Sequence, residues 1–268
     1  MATIRKKIDG FTFYLNPDDH GISKRMIITK GRREPGFRYC LLKEASGIAY
    51  DVGANLGQYT LHLSKLCEKV IAWEPDQRSI KLLHKNIKAN KLKNVQLLST
   101  AISDKMKTVP FVDAKKPNLS RIDELTPRIS ARTVECMPLD SYFHNHPTFI
   151  KMDIEGGEVN ALKGAMKTLA DAKEMKILIE VHPQFYNKDN DFRKTLEDIL
   201  KLGYKFKYVV NAKGKIGKFK KYKCVKRFSY YKHRAVFAGV HENKVLKWAT
   251  EMPKDGKKVI RSILLVKS

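Results

Sequence analysis

Three short apolar runs in this chain each end on an acid: Gly47 to Asp51, Lys69 to Glu74 and Phe149 to Asp153. Ligands of an open α/β sheet sit at the carboxyl ends of its strands, so these acids are the first candidates for a site. Asp51 is followed by Val52-Gly53-Ala54-Asn55-Leu56-Gly57, a glycine-rich turn into a helix. Gly53 and Gly57 permit a tight backbone and close approach of a ligand, and a helix start offers unpaired N–H groups. A plain strand–helix turn uses the same glycines. The pattern differs from the G-x-G-x-x-G that receives a pyrophosphate. A carboxylate directly before the turn repels a pyrophosphate and suits a cationic or hydroxyl-bearing ligand. The two oxygens of Glu74 match the vicinal diol of a ribose. A ligand with a ribose and a positive charge but no pyrophosphate is required, and S-adenosylmethionine meets that description.

The third acid continues as Ile154-Glu155-Gly156-Gly157-Glu158, and another apolar run, Lys176 to Val181, ends at His182. Neighbouring strand ends would gather Asp153, Glu155 and His182, the candidates for removing a proton from a methyl acceptor. Histidine has the ordinary pKa for that task, and Asp153 ranks first as a site residue. Plainer roles stand beside these: a strand-end histidine bonded to a backbone carbonyl, or Asp153 or Glu155 capping the helix that starts near Gly157. Asp153 and Glu155 are also hard oxygen ligands suited to a divalent metal. No spacing marks a metal set, and none is assigned. Glu34 either reaches this site from the N-terminal region or forms a surface ion pair.

The elements that must position these residues alternate between strand and helix from residue 47 onward. Gln58 to Leu66 reads as a helix with Tyr59, Leu63 and Leu66 on one face. Arg78 to Asn90 is amphipathic, with Ile80, Leu83 and Ile87 spaced by three and four. Val95 to Ser99 is a strand. Glu158 to Leu169 reads as one helix burying Val159, Leu162, Met166 and Leu169, and Phe192 to Leu202 as another, stopped by Gly203. Phe206 to Val210 and Ala235 to Val240 are the last strand candidates. This alternation predicts βαβ units on a mostly parallel sheet covered by helices on both faces. Residues 1–46 form an N-terminal extension, with a strand at Phe11 to Leu15, a turn at Asn16 to Asp19, and a helix or strand at Ile22 to Ile28. The domain runs from 47 to 242, with an irregular insert at 104–137 holding short strands near Val109 to Val112 and Thr133 to Met137. A basic insert occupies 211–234, and 243–268 is a C-terminal tail.

The formal net charge is +25. Such a field attracts polyanions without naming one, and a charged surface that serves solubility explains it equally. Ile199 to His241 contains no acid, and its lysines and arginines are interleaved with Phe219, Tyr222, Phe228, Tyr230 and Tyr231. That stretch supports an alternative reading, a nucleic-acid (RNA) methyltransferase, in which cations neutralise phosphates and rings stack on bases. The four cysteines, Cys40, Cys67, Cys136 and Cys224, are scattered. They are expected to be reduced thiols of a cytoplasmic protein. No run is apolar and long enough to span a bilayer, and no secretory signal is visible.

The runs from Asp51 to Thr60, from Ala72 to Asp76 and from Ile150 to Glu158 resemble the three signatures of the FkbM-type methyltransferases. Leu162-Lys163-Gly164-Ala165 and Ile179-Glu180-Val181-His182 are similar to that family as well. The third signature is the most specific. The resemblance implies a class I methyltransferase fold: a Rossmann-like, seven-stranded, mostly parallel sheet whose last strand is antiparallel. It implies S-adenosylmethionine as cofactor and O-methylation of a hydroxyl, often on a sugar, so the expected partner is a hydroxyl-bearing acceptor, a glycan above all. Asp51, Gly53, Asn55, Gly57, Glu74 and Asp76 carry over as cofactor contacts, with Ala101 and Ile102 on the adenine side.

Overall fold

The computed structural model of the protein describes residues 2–31, 34–112, 114, 120–122, 132–211, 219–228, 234–252 and 261–268. An N-terminal hairpin, β1 (Ile4–Ile8) and β2 (Phe11–Leu15), leads through α1 (Ile22–Thr29) and α2 (Pro35–Glu44) into a large sheet. That sheet begins with β3 (Ile48–Val52), α3 (Gln58–Leu66), β4 (Lys69–Trp73), α4 (Gln77–Ala89) and β5 (Val95–Leu98). A four-stranded sheet interrupts the alternation, built from β6 (Ala101–Ile102), β7 (Lys107–Val112), β8 (Arg121–Ile122) and β9 (Arg132–Met137). The large sheet resumes with β10 (Phe149–Met152), α5 (Glu158–Lys163), α6 (Met166–Asp171), β11 (Met175–Val181), α7 (Phe192–Lys201) and β12 (Lys205–Asn211). It closes with β13 (Lys223–Arg227), β14 (Ala235–Ala238), α8 (Glu242–Thr250) and β15 (Arg261–Lys267).

The large sheet has nine strands in the order β13-β14-β12-β15-β11-β10-β3-β4-β5. From β11 to β5 every pairing is parallel, and from β11 to β13 every pairing is antiparallel. The sheet is therefore mixed and larger than the seven strands expected. The surplus is β14 and β13, which extend the edge beyond β12.

Strand side chains alternate between faces. Tyr50 and Val52, Ile177 and Ile179, and Ile263 and Leu265 enter one core, which also holds residues of α5 to α8. Ala49, Leu178 and Leu264 enter the other, with Phe37, Cys40 and Leu41 of α2 and Tyr59 and Leu63 of α3. A third core joins the N-terminal hairpin to Leu82 and Leu83 of α4 and to Leu56 of the turn after β3.

The structure corrects several expectations. The expected tail at 243–268 is corrected in its described parts: Val245, Leu246 and Ala249 of α8 are buried, and β15 lies between β11 and β12. Its run Ile263-Leu264-Leu265 is apolar on successive residues because a central strand is covered on both faces. The helix read over Glu158 to Leu169 is two helices. The Asp140 N–H donates to the Gly164 carbonyl at the break, and the Asp140 carboxylate accepts from the backbone N–H groups of Lys167 and Thr168, starting α6. Leu66 faces outward, while Tyr59 and Leu63 are buried. Within the basic insert, Phe219 is fully buried against Phe237 and Trp248 and is not available to stack on a base. Tyr230 and Tyr231 lie outside the described residues. Among the described residues no helix is long and apolar enough to cross a membrane.

Candidate active site

Parallel pairing puts the carboxyl ends of β3, β4, β10 and β11 along one edge of the sheet, and the predicted acids emerge there. The turn after β3 folds back on its neighbours through its own backbone. The N–H groups of Gly53 and Ala54 both donate to the Trp73 carbonyl, that of Asn55 to Glu74 Oε2, that of Leu56 to the Asn55 side-chain oxygen, and that of Gly57 to the Ala54 carbonyl. Every N–H from Gly53 to Gly57 is thus spent inside the protein. The turn has no open nest of donors to receive a pyrophosphate.

Gly53 has φ 80°, and a Cβ there would fall on the Asp153 carbonyl oxygen. The cofactor turn and the acid at the end of β10 are therefore in direct backbone contact. Gly57, at φ 94°, precedes α3, where a Cβ would meet Leu83.

Asp51 is fully buried. Lys151, its partner across the β3–β10 pair, brings Nζ to 3.0 Å from Oδ1, and the Thr60 hydroxyl donates to Oδ2 at 2.7 Å. Lys151 Nζ also donates to the Gly53 carbonyl at 2.7 Å, so its hydrogen bond goes to the turn and its charge to Asp51. Burial works to lower the Lys151 pKa, but the carboxylates of Asp51 and Asp153 raise it instead. Asp51, expected as a cofactor contact, forms with Lys151 a buried ion pair beneath the turn. Lys151 was missed by sequence reasoning, although a lysine inside the run Phe149 to Met152 was the visible signal.

Glu74 is buried at the end of β4, with Oε2 taking the Asn55 N–H at 2.7 Å and Oε1 the Asp76 N–H at 2.8 Å. Each carboxylate oxygen has a further lone pair. Burial pushes the Glu74 pKa up to about 7, against the pull of those two backbone bonds. The side chain of Asp76 is otherwise engaged: it caps α4 through the Arg78 and Ser79 N–H groups and pairs with the Arg78 guanidinium at 2.6 Å. Ala101 and Ile102 are buried on β6, which pairs with β9.

Asp153, Glu155 and His182 do come together, each offering a ligand atom within 4.8 Å of the others. His182 is 2% exposed, and its Nδ1 is 2.9 Å from Glu158 Oε1. Its Nε2 faces Glu180 Oε1 at 3.5 Å, Glu155 Oε2 at 3.7 Å and Asp153 Oδ1 at 3.9 Å. The Tyr186 hydroxyl donates to Glu158 Oε2 and accepts the His182 backbone N–H. Neither Asp153 nor Glu155 caps α5, because that helix starts at Gly157 with no side-chain cap. Glu155 has φ 50°, a conformation that is rare outside glycine and clusters at functional sites.

Burial acts to lower the His182 pKa, yet the Glu158 carboxylate raises it well above the ordinary value. In return Glu158 is lowered, His182 outweighing its burial. Burial raises Glu155 to about 7 and Glu180 to about 8, and it raises Asp153 against the pull of Lys151. Glu34, at the start of α2, accepts from the Tyr59 hydroxyl at 3.0 Å, and its charge is felt by Asp153, Glu155 and Glu180. It reaches the site from the N-terminal region. Glu158, Glu180 and Tyr186 were not anticipated. Glu158 and Glu180 stood inside the quoted signatures, but only the packing of β11 against β10 and α5 reveals their convergence on one imidazole.

The arrangement sets the buried Glu74 carboxylate and a turn whose N–H groups are spent internally beside a cluster of acids around His182. The model of the methyltransferase FkbM domain matches residues 51–206. No curated protein matches the chain. Among solved structures, the chain is similar to the methyltransferase FkbM from Methylobacillus flagellatus KT, at 24% identity over 61% of this chain and 39% of that one, TM-score 0.45. It is also similar to Trm5b from Pyrococcus abyssi, at 14% identity over 100% and 57%, TM-score 0.44. Against TYW2 from M. jannaschii, solved with AdoMet, identity is 15% over 99% and 86%, TM-score 0.44. The chain spans less than two thirds of the first two. With the family's domain model matched from the cofactor turn through β11 and α7 into β12, the chain belongs to the FkbM methyltransferase family and carries an S-adenosylmethionine-dependent methyltransferase domain.

Proposed function

We propose that the protein transfers a methyl group from S-adenosylmethionine to a hydroxyl oxygen of a polyhydroxyl acceptor, a glycan above all. The observation that carries this reading is the contact between Gly53 of the cofactor turn and Asp153, whose side chain, with that of Glu155, is 22–27% exposed at the same edge. When bound, the cofactor would supply the methyl group from its sulfonium, the neutral thioether being the leaving group. The protein's own tasks are alignment and proton removal. Alignment of acceptor and donor supplies several kcal/mol. A positioned base adds a factor of roughly 10² to 10⁴. Asp153 and Glu155 are open enough to meet the acceptor, whereas His182 is buried behind them and holds them in place.

The carboxylates at the site support the polyol reading over the nucleic-acid one. Asp153, Glu155, Glu158 and Glu180 gather around one imidazole, and the charge of Glu34 is felt by Glu155. A phosphodiester brought among them meets like charge, while a neutral polyol finds hydrogen-bond acceptors. The exposed cations Lys223, Lys226 and Arg227 lie on β13, six strands from β3 in the sheet order. At about 4.8 Å per strand that is roughly 29 Å away. The cysteines fit a reducing, cytoplasmic setting: all four are free, with Cys40, Cys67 and Cys136 buried. The test is to offer the full chain S-adenosylmethionine labelled in its methyl group with oligosaccharides and with RNA. Label is expected in a sugar hydroxyl. Label in RNA and none in any oligosaccharide would contradict the reading.

A further inference from the structure

We infer that Asp153, Glu155 and His182 form a binding site for a divalent cation, with Glu180 as a fourth ligand and Glu158 as the group that orients the histidine. Nε2 of His182 stands 3.5 Å to 3.9 Å from one oxygen each of Glu180, Glu155 and Asp153. The Glu155 and Asp153 separations are too long for hydrogen bonds, and that to Glu180 is at the limit of one. These are the separations of atoms sharing one ion, since two ligands each about 2.1 Å from a metal lie roughly 3 to 4 Å apart.

Two further observations point to a ligand. The first is Glu180, 4% exposed, which brings Oε1 toward Nε2 while its buried Oε2 has no hydrogen-bond partner among the described residues. A buried carboxylate oxygen left so is costly unless something cationic meets it. The second is the far side of His182. Glu158 Oε1 lies 2.9 Å from Nδ1, and Glu158 is itself held by the Tyr186 hydroxyl. A carboxylate on one ring nitrogen fixes the proton there and turns the lone pair of the other toward the metal, the usual support of a metal-bound histidine. Hard oxygens with one imidazole suit Mn²⁺ and ions like it.

The site deepens the hydroxyl-acceptor reading and rests on it for its purpose: an ion between Asp153 and Glu155 would hold adjacent hydroxyl oxygens of a sugar beside the cofactor turn. Binding itself is tested without turnover. Mn²⁺ is titrated against the full chain and the free ion followed by electron paramagnetic resonance, with S-adenosylhomocysteine affinity measured in parallel. One Mn²⁺ per chain is expected. Glu155→Gln should weaken it at least about tenfold and Glu158→Gln by about 10- to 100-fold, both with unchanged S-adenosylhomocysteine affinity. Glu155 is partly exposed, so its variant decides the matter even where Glu158→Gln fails to fold. No saturable binding at millimolar Mn²⁺, or equal binding by Glu155→Gln, overturns the site. Either result leaves methyl transfer standing if S-adenosylhomocysteine still binds, whereas loss of that binding in the native chain would strike the methyltransferase reading instead.

Discussion

Lys151 and Asp51 face each other across adjacent parallel strands with their charges 3.0 Å apart and both side chains at most 2% exposed. The pair sits under the cofactor turn, and Lys151 also ties down the Gly53 carbonyl. Removing one partner of a buried pair leaves an uncompensated charge, which costs about 3–5 kcal/mol. Lys151→Met should therefore lower unfolding stability by that amount in a urea titration. The double variant Lys151→Met with Asp51→Asn should recover most of it. Equal destabilisation in the single and double variants would show that the charge pairing is not what matters there.

Gly53→Ala tests the contact between the turn and the end of β10. The residue has φ 80°, and its new methyl group would strike the Asp153 carbonyl. Strain of this kind costs about 1–3 kcal/mol. The turn must shift to relieve it, so S-adenosylhomocysteine affinity should fall along with the melting temperature. Wild-type affinity in this variant would mean that the turn tolerates displacement from β10.

Asp153→Asn removes the half-buried carboxylate beside the turn while preserving its shape. A lost proton acceptor should lower kcat by roughly 10²- to 10⁴-fold with S-adenosylhomocysteine affinity unchanged. Steady-state kinetics with any acceptor found in the labelling experiment would check this. A fall in cofactor affinity with kcat intact would move Asp153 to the cofactor side.

The strand–turn–helix unit that carries Asp51 to Gly57 was legible because its parts are local. A strand, a glycine turn and a helix follow one another from Ile48 to Leu66, and Glu74 ends the next strand. The acceptor half was legible only in outline. Asp153, Glu155 and His182 could be placed at neighbouring strand ends, but Glu158 and Glu180 acquire their roles through side-chain packing around His182. The pairing of Asp51 with Lys151 was not visible because the two lie 100 residues apart and meet only through strand order. The end of the sheet was missed for a related reason: β15 is the last strand in the chain yet inserts between β11 and β12, a placement that local pattern does not encode.

Glu74 should give cofactor binding a pH dependence. Its pKa is raised to about 7, so above that value the group is ionised and accepts hydroxyl donors strongly, while below it a proton occupies one oxygen. S-adenosylhomocysteine affinity should weaken as the pH falls through about 7, and Glu74→Gln should remove that step. A step of the same size in Glu74→Gln would assign it to another group.

The central claim is that the Gly53–Gly57 turn and Glu74 bind S-adenosylmethionine, and calorimetric titration of S-adenosylhomocysteine into the native chain and into Glu74→Ala tests it most directly. Hydrogen bonds to a charged group contribute about 1.5–3 kcal/mol. One site per native chain and a roughly 10- to 100-fold weaker site in Glu74→Ala are predicted. No binding by the native chain, or equal affinity in the two proteins, would contradict the account.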